Sequence, residues 1–243
     1  AMNDWGSSMA KPAYDYIIRE GHPVGTIEGF KSEGYYTIDD FTYADGKYTL
    51  KPGIPDIQGI VNYPDGVKVL AADGQTAVPG MPKFADTTGK GVLDEEAKPI
   101  IGEAMPQHTG GVTINGKWKS IDFSVGFTYQ IGGDVYNANA MHSLMGNKDN
   151  SAGQNRLKFV SETFKYYDVD TNGDLMLVKD PTALAALNAN TNYSSFFSEY
   201  GIVSSKFIED ASYLRLNTLT VGYTFPKNWM NKIGFQNARV YFT

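Results

Sequence analysis

The stretch IDFSVGFTYQI, residues 121–131, decides the fold class because apolar side chains alternate along it with polar or small ones. A period of two places odd-numbered side chains on one face of a β-strand and even-numbered ones on the other. Strands of soluble proteins run about 5–6 residues, whereas a tilted strand that crosses a bilayer needs about 9–11. The stretch fits the bilayer length, and a long strand in a soluble antiparallel sheet stays open as the alternative. The apolar positions are Ile121, Phe123, Val125, Phe127, Tyr129 and Ile131.

Composition narrows the class of protein further. The chain has 243 residues, with 26 Gly, 16 Tyr and 13 Phe, a balance that favours strands and turns over helices. A formal net charge of −6 and the lack of a Lys/Arg run exclude a nucleic-acid partner. Because there is no cysteine, disulfides, thiolate metal sites and cysteine nucleophiles are excluded. The chain contains no run of about 18 apolar residues, so no transmembrane helix is predicted. A membrane protein that spans the bilayer with β-strands stays open.

The segment before this stretch predicts its hairpin partner. Residues Val112–Trp118 alternate in the same way. Asn115-Gly116 is a common hairpin turn, but a turn there would leave Trp118–Ser120 as a short segment outside both strands. We therefore place the turn at Lys119-Ser120, which puts Trp118 at one rim of the sheet, where aromatic girdles of membrane barrels lie.

Residues 212–226, SYLRLNTLTVGYTFP, predict a third long strand. Leu219 and Val221 share one phase of the alternation, whereas Leu214 and Leu216 are out of phase with them. This slip near Asn217 predicts a β-bulge. A further strand is expected from Ala238 onward.

The remaining segments are long and rich in turn signals. Ala13–Arg19 is a possible short strand, and Asp45-Gly46 predicts a small hairpin. The sequence DPTALAALNAN predicts a helix with Pro181 in its first turn. Otherwise we expect a mostly irregular chain, and loops of this length are uncommon unless they are functional.

Connection lengths alternate between long and short along the chain, and this asymmetry is typical of outer-membrane barrels, which have short periplasmic turns and long external loops. We therefore predict an all-β fold, part of a large antiparallel transmembrane β-barrel with long extracellular loops. The predicted organisation is a long extracellular loop at 21–110, a β-hairpin at 111–131, a second long extracellular loop at 132–211 and a truncated hairpin at 212–243.

Several motifs together resemble one known family. They are the segments Arg19–Phe30, Pro79–Asp86, Gly89–Asp94, Ile100–Pro106, Glu209–Leu216 and Leu219–Pro226, with GMPKFAD, IIGEAMP, EDASYLRL and LTVGYTFP as their recognisable cores. In this order they resemble the C-terminal barrel portion of SusC/RagA-type TonB-dependent outer-membrane transporters. That family has about 22 barrel strands and a plug, so the resemblance implies that this chain is a fragment that cannot close a barrel alone.

The resemblance also implies a function and partners. It predicts import of a bulky nutrient, a glycan or an oligopeptide, across the Gram-negative outer membrane. Energy would come from TonB through an upstream plug, and a SusD-like surface lipoprotein would cap the long loops, with the lipid bilayer around the barrel. The protein would not be an enzyme. The competing hypothesis is a soluble secreted β-sandwich that serves as a binding module or adhesin.

One acidic segment resembles half of a calcium loop. In DVDTNGDLMLVKD, the side chains of Asp168, Asp170, Asn172 and Asp174 stand at alternate positions around a glycine. Lys179 occupies the position of the bidentate Glu, so an acidic turn without metal is the alternative.

Other candidate sites have weaker support. GVTINGKW, residues 111–118, approaches a phosphate-loop pattern, but Trp118 replaces the magnesium ligand. Asp94, Glu95 and Glu96 are adjacent carboxylates rather than the convergent pair that a glycosidase needs. His22, His108 and His142 lie far apart in sequence. Aromatic residues in the long loops predict either stacking platforms for a ligand or packing of the loops.

Overall fold

The structure is a computed structural model that describes residues 3–4, 17–18, 20–58, 60, 63–64, 66–145, 158–196, 198–199 and 201–243. Its strands, in chain order, are β1 (Asn3–Asp4), β2 (Ile17–Ile18), β3 (Thr26–Glu28), β4 (Ser32–Tyr35), β5 (Phe41–Ala44), β6 (Lys47–Leu50), β7 (Pro82–Phe84), β8 (Ile100–Glu103), β9 (His108–Trp118), β10 (Ile121–Ile131), β11 (Asp134–Tyr136), β12 (Tyr167–Val169), β13 (Leu175–Leu177), β14 (Ile208–Asp210), β15 (Tyr213–Thr224) and β16 (Arg239–Phe242). Its α-helices are α1 (Ala138–Met145), α2 (Pro181–Leu187) and α3 (Lys227–Lys232).

The chain divides into two compact units. The loop unit comprises residues 1–103 and 135–209, and the sheet unit comprises residues 104–134 and 210–243. The predicted long excursions thus supply the loop unit, and the predicted long strands supply the sheet unit. Within the described residues, no helix has both the length and the apolarity required to cross a membrane.

The sheet unit is one antiparallel sheet with the order β16-β15-β10-β9. Trp118 pairs with Ile121, which confirms the turn at Lys119-Ser120, and Lys119 adopts a left-handed φ of 55° there. Strand β10 has the predicted bounds, and β9 begins at His108, earlier than the predicted Val112. In the part of the sheet that is described, β9 and β16 are open edges, so no closed barrel is formed.

The predicted bulge is confirmed in β15. Gly126 pairs with Thr218 and Phe127 pairs with Leu216, so Asn217 is the extra residue. The bulge shifts the phase of the strand by one residue. As a result, Leu214 and Leu216 lie on the same face as Leu219 and Val221, although the sequence places them out of phase.

The loop unit is more ordered than the predicted irregular excursion. Among its described residues, the regular structure comprises the strand pairs β4-β7, β5-β6, β11-β14 and β12-β13, the sheet β1-β2-β3-β8, helices α1 and α2, and five short 3₁₀ helices. The hairpin at Asp45-Gly46 is confirmed, with left-handed φ values of 51° and 79°. The predicted strand Ala13–Arg19 is described only at Ile17–Ile18, which form β2; its other residues lie outside the described part of the chain.

A buried aromatic core holds the loop unit together. Its largest fully buried side chains include Tyr36, Tyr48, Phe84 and Leu184, and Phe41 and Tyr166 pack with them. The hydroxyl of Tyr48 donates to the carbonyl of Lys179 at 2.8 Å, a contact between segments far apart in sequence. Burial raises the pKa of Tyr36, Tyr48 and Tyr166. These loop aromatics therefore pack the loops and do not form exposed stacking platforms.

Helix α2 forms where the sequence predicts it. Asp180 caps its N-terminus by accepting hydrogen bonds from the amides of Thr182 (3.0 Å) and Ala183 (2.9 Å), and Pro181 is the first helical residue. The buried Leu184 fixes the helix to the core.

Candidate functional site

The two faces of the sheet unit differ completely in chemistry. Strand register assigns one set of side chains to an apolar face: Val112, Ile114 and Trp118 from β9; Ile121, Phe123, Val125, Phe127, Tyr129 and Ile131 from β10; Leu214, Leu216, Leu219, Val221 and Tyr223 from β15; and Val240 and Phe242 from β16. The other face carries mainly Thr, Ser, Asn and Gln side chains, together with Tyr213 and Tyr241. We call these the apolar face and the polar face.

The charged Asp, Glu, Lys and Arg residues of the four strands all stand on the same face of the sheet. The charged Asp, Glu, Lys and Arg residues of the four strands are Lys117, Asp122, Arg215 and Arg239, one on each strand. All four stand at polar-face positions of the register. The described part of this sheet thus has one face on which no Asp, Glu, Lys or Arg side chain stands.

Much of the apolar face is exposed, whereas Val125, Phe127 and Tyr129 in the middle of β10 are half-buried. Phe123 is 41% exposed, Trp118 65% and Phe242 75%. Among the described residues, neither of the two buried hydrophobic clusters contains a residue of β9, β10, β15 or β16. A soluble β-sandwich would pack a second sheet over this face. The exposed side chains instead form one continuous apolar patch, which differs from the isolated apolar residues that are normal on a protein surface.

Glycines shape the surface of the apolar face. A Cβ on Gly116 would lie 2.3 Å from the ring of Phe123, and one on Gly110 would lie 2.8 Å from the ring of Tyr129. Each glycine is the register partner of the aromatic residue concerned. The rings therefore lie across neighbouring glycines and cover backbone that would otherwise be open on this face.

The polar face is held by side-chain contacts between strands. Arg239 pairs with Asp122, with its Nε donating to Oδ1 at 3.2 Å, and so joins β16 to β10 across β15. A Cβ on Gly222 would meet the guanidinium at 2.5 Å, so only glycine leaves room for this ion pair. At the bulge, the side-chain amide of Asn217 donates a hydrogen bond to the hydroxyl of Thr128 at 3.0 Å.

Aromatic residues stand at the end of the sheet that carries the short turn. The Nζ of Lys119 lies 4.7 Å from the ring centroid of the exposed Trp118. The rings of Tyr223 and Phe225 meet edge to face with centroids 5.2 Å apart. Amphipathic aromatic rings at a strand end match the girdle that barrels place at a membrane interface.

Of the predicted calcium residues, Asp170, Asn172 and Asp174 lie in the turn between β12 and β13, and Asp168 lies in β12. The amides of Asn172 (2.8 Å) and Asp174 (2.9 Å) donate to the carboxylate of Asp170, and that of Val169 donates to Asp168. The bonds from Asp174 and Asn172 hold the pKa of Asp170 below its usual range. In the described ranges, no group of three or more His, Cys, Asp or Glu side chains is arranged to hold a metal ion. Calcium binding here stays a prediction, and calorimetry without heat at millimolar calcium would contradict it.

The segment from Asp86 to Glu96, which contains the adjacent carboxylates, begins with a turn that the side chain of Asp86 closes by accepting hydrogen bonds from backbone amides. The amides of Thr88, Gly89 and Gly91 donate to Asp86, at 2.9, 2.8 and 2.7 Å. These bonds, with the strongest from Gly91, hold the pKa of Asp86 below its usual range. Lys90 pairs with Glu96 in the same turn. The carboxylates are thus used for local structure.

The structure supports neither the phosphate-loop candidate nor a site built from the histidines. Residues 111–118 lie inside the extended strand β9, which cannot wrap around a phosphate as a glycine loop does. His22 lies in the loop unit and His108 in β9, and the backbone of His142 lies in α1.

Comparison with known proteins shows independently which proteins the chain is similar to. The chain is 25% identical over 225 residues to TonB-dependent receptor P3 of Formosa agariphila, covering 93% of this chain and 17% of that protein. It is 24% identical over 240 residues to TonB-dependent receptor P39 of the same organism, covering 91% of this chain and 20% of that protein. The chain is similar to part of a TonB-dependent receptor.

This similarity to TonB-dependent receptors confirms the resemblance that the motifs indicate. The chain spans about a fifth of the length of these receptors or less. A solved structure of the RagAB peptide importer in the "closed-closed" state also matches, with a TM-score of 0.49, 18% identity, and coverage of 95% of this chain and 20% of that one. No family model matches the sequence.

Two features of the sheet unit were missed at the level of the sequence. The ion pair between Arg239 and Asp122 joins residues far apart in the chain, and only the register of three strands brings them together. Helix α3 lies between the third predicted strand and the strand expected from Ala238, in a segment for which no helix was predicted. Its one signal was Pro226, which precedes the first helical residue.

Proposed function

We propose that this chain is part of the transmembrane β-barrel of an outer-membrane, TonB-dependent transporter, and that its apolar face contacts lipid. The observation that carries the proposal is the segregation of charge: four charged strand residues on the polar face and none on the apolar face. Similarity to TonB-dependent receptors over most of the chain supports it.

The dimensions of the sheet agree with a bilayer. Strands β9 and β10 have 11 residues each and β15 has 12. At about 3.4 Å per residue and a tilt of about 40°, such strands rise roughly 28 Å, close to the apolar band of about 25 Å on outer-membrane barrels. Strands of this length thus span the hydrocarbon layer with little to spare.

The long connections give the barrel an orientation in this proposal. In this orientation the turn at Lys119-Ser120 faces the periplasm, and the long connections at 21–110 and 132–211 lie outside the cell. A folded outer unit offers the surface on which a bulky nutrient and a surface partner would be held. The transporter performs no chemistry on its substrate.

The finer assignment is a SusC-like transporter. The motifs Ile100–Pro106 and Glu209–Leu216 support it. We propose that the substrate is a glycan or an oligopeptide, that a SusD-like lipoprotein covers the loop unit, and that TonB supplies energy through a plug.

Purification of the natural full-length protein from outer membranes in mild detergent tests this function. We expect an acylated lipoprotein to copurify and mass spectrometry to find bound peptides or glycans. Uptake of that ligand class by cells should stop when TonB is deleted. Recovery of the protein from the soluble fraction without detergent would contradict the proposal.

A further inference from the structure

The connection at residues 226–237 lies at the short-turn end of the sheet. The amide of Thr224, just before it, donates to the carbonyl of Ser120 at 2.8 Å, and the amide of Phe225 donates to the carbonyl of Ala238 at 3.0 Å. These bonds fix both ends of the connection beside the turn at Lys119-Ser120. Helix α3, Lys227–Lys232, makes up its first half.

This connection exposes large apolar side chains next to positive charge. Trp229 is 59% exposed, Ile233 62% and Phe235 60%, whereas Met230 is buried. Its charged residues are Lys227 and Lys232, and it contains no Asp or Glu. In water, three exposed apolar side chains in a short connection would be an aggregation hazard.

Such a combination matches the boundary between lipid headgroups and acyl chains. Trp and Phe rings are favoured at this depth, and lysines are attracted to anionic headgroups. The connection is also continuous with the rim of the apolar face, where Trp118 is exposed and Lys119 lies against its ring. Both features belong to the sheet unit.

We propose that residues 226–237 form an interfacial anchor, in which Trp229, Ile233 and Phe235 insert into the phospholipid leaflet on the short-turn side. Lys227 and Lys232 contact its anionic headgroups. This inference rests on the proposed function, because it requires the apolar face to lie in a membrane. It adds that the turn side of the barrel is attached to the leaflet surface and does not stand free in the periplasm.

Depth-dependent fluorescence quenching tests the anchor. The chain has no cysteine, so Trp229→Cys, Phe235→Cys and Val125→Cys can each carry a small fluorophore in the natural full-length protein, with any cysteines elsewhere in it replaced. The labelled proteins are reconstituted in phosphatidylcholine vesicles with and without phosphatidylglycerol. Quenchers are spin labels attached to lipids at two depths, and aqueous iodide. Heat-modifiable migration on gels shows that each barrel has assembled.

We expect labels at positions 229 and 235 to be quenched by shallow lipid spin labels and only weakly by iodide. The label at position 125 should be quenched by the deep spin label. Lys227→Gln combined with Lys232→Gln should reduce lipid quenching at position 235 more strongly in vesicles that contain phosphatidylglycerol.

The outcomes separate the two proposals. If position 125 is deep but positions 229 and 235 are reached by iodide or shielded from both quenchers, the anchor is wrong and the proposed function stands. If position 125 is itself reached only by iodide, the lipid-facing assignment fails. Equal effects of the lysine substitutions in both vesicle types would overturn the contact with anionic headgroups.

Discussion

At the level of single residues, glycines determine where the large side chains of the sheet can lie. Gly116 leaves space for the ring of Phe123 on the apolar face, and Gly222 leaves space for the ion pair of Arg239 and Asp122 on the polar face. Neither glycine has a left-handed φ. Their role is therefore to admit a neighbouring side chain, and backbone strain plays no part.

We predict that Gly222→Ala displaces the Arg239–Asp122 pair, because the new Cβ would lie 2.5 Å from the guanidinium. Gly126→Ala is the matched control, since its Cβ would lie 3.4 Å from Thr218, an ordinary contact. The pair is partly exposed, so its loss should cost at most about 1 kcal/mol. Thermal unfolding measures the change, and Asp122→Asn should add little in the Gly222→Ala background. Full additivity of the two substitutions would contradict the prediction.

A charge at the centre of the apolar face gives a second prediction. Val125 lies midway along β10, so Val125→Lys should destabilise the barrel by about 2–4 kcal/mol if this position lies near the bilayer midplane. Thr128→Lys on the polar face is the control and should cost much less. Unfolding by denaturant in lipid vesicles compares them, and undiminished stability of Val125→Lys would count against lipid contact.

At the level of elements, the long strands were predictable and the short ones were not. Residues 121–131 alternate without a break, so the strand and both of its faces follow from the sequence alone. The start of β9 was missed because Thr109, Gly110 and Gly111 carry no alternation. The bulge at Asn217 was visible as a slip of phase, although only the register showed that Leu214 returns to the apolar face.

Helix α2 was predictable because its start signal is local. We predict that Asp180→Ala destabilises this helix by about 1 kcal/mol, since the amides of Thr182 and Ala183 lose their acceptor. Asp180→Asn should retain most of the stability, because Asn is an equally good cap. Hydrogen exchange of residues 181–187 reports the difference. Unchanged exchange in Asp180→Ala would show that packing of Leu184 alone holds the helix.

At the level of the whole molecule, the long excursions fold into a unit with its own aromatic core. The sequence indicated their length and turns, but Tyr36, Phe84 and Leu184 come from distant short elements with no shared period. Contacts such as that of Tyr48 with Lys179 depend on tertiary structure and have no local signal. The fold of this unit therefore could not be predicted from the sequence.

Adjacent positions on the two faces of β10 provide the most direct test of lipid contact. Ser124→Cys and Val125→Cys, each carrying a nitroxide spin label in the natural full-length protein in lipid vesicles, can be compared by collision with oxygen and with a water-soluble nickel complex. Oxygen concentrates in hydrocarbon, whereas the nickel complex stays in water. We predict that the label at position 125 collides mainly with oxygen and that the label at position 124 does not show this preference. If position 125 is more accessible to the nickel complex than to oxygen, the apolar face does not contact lipid.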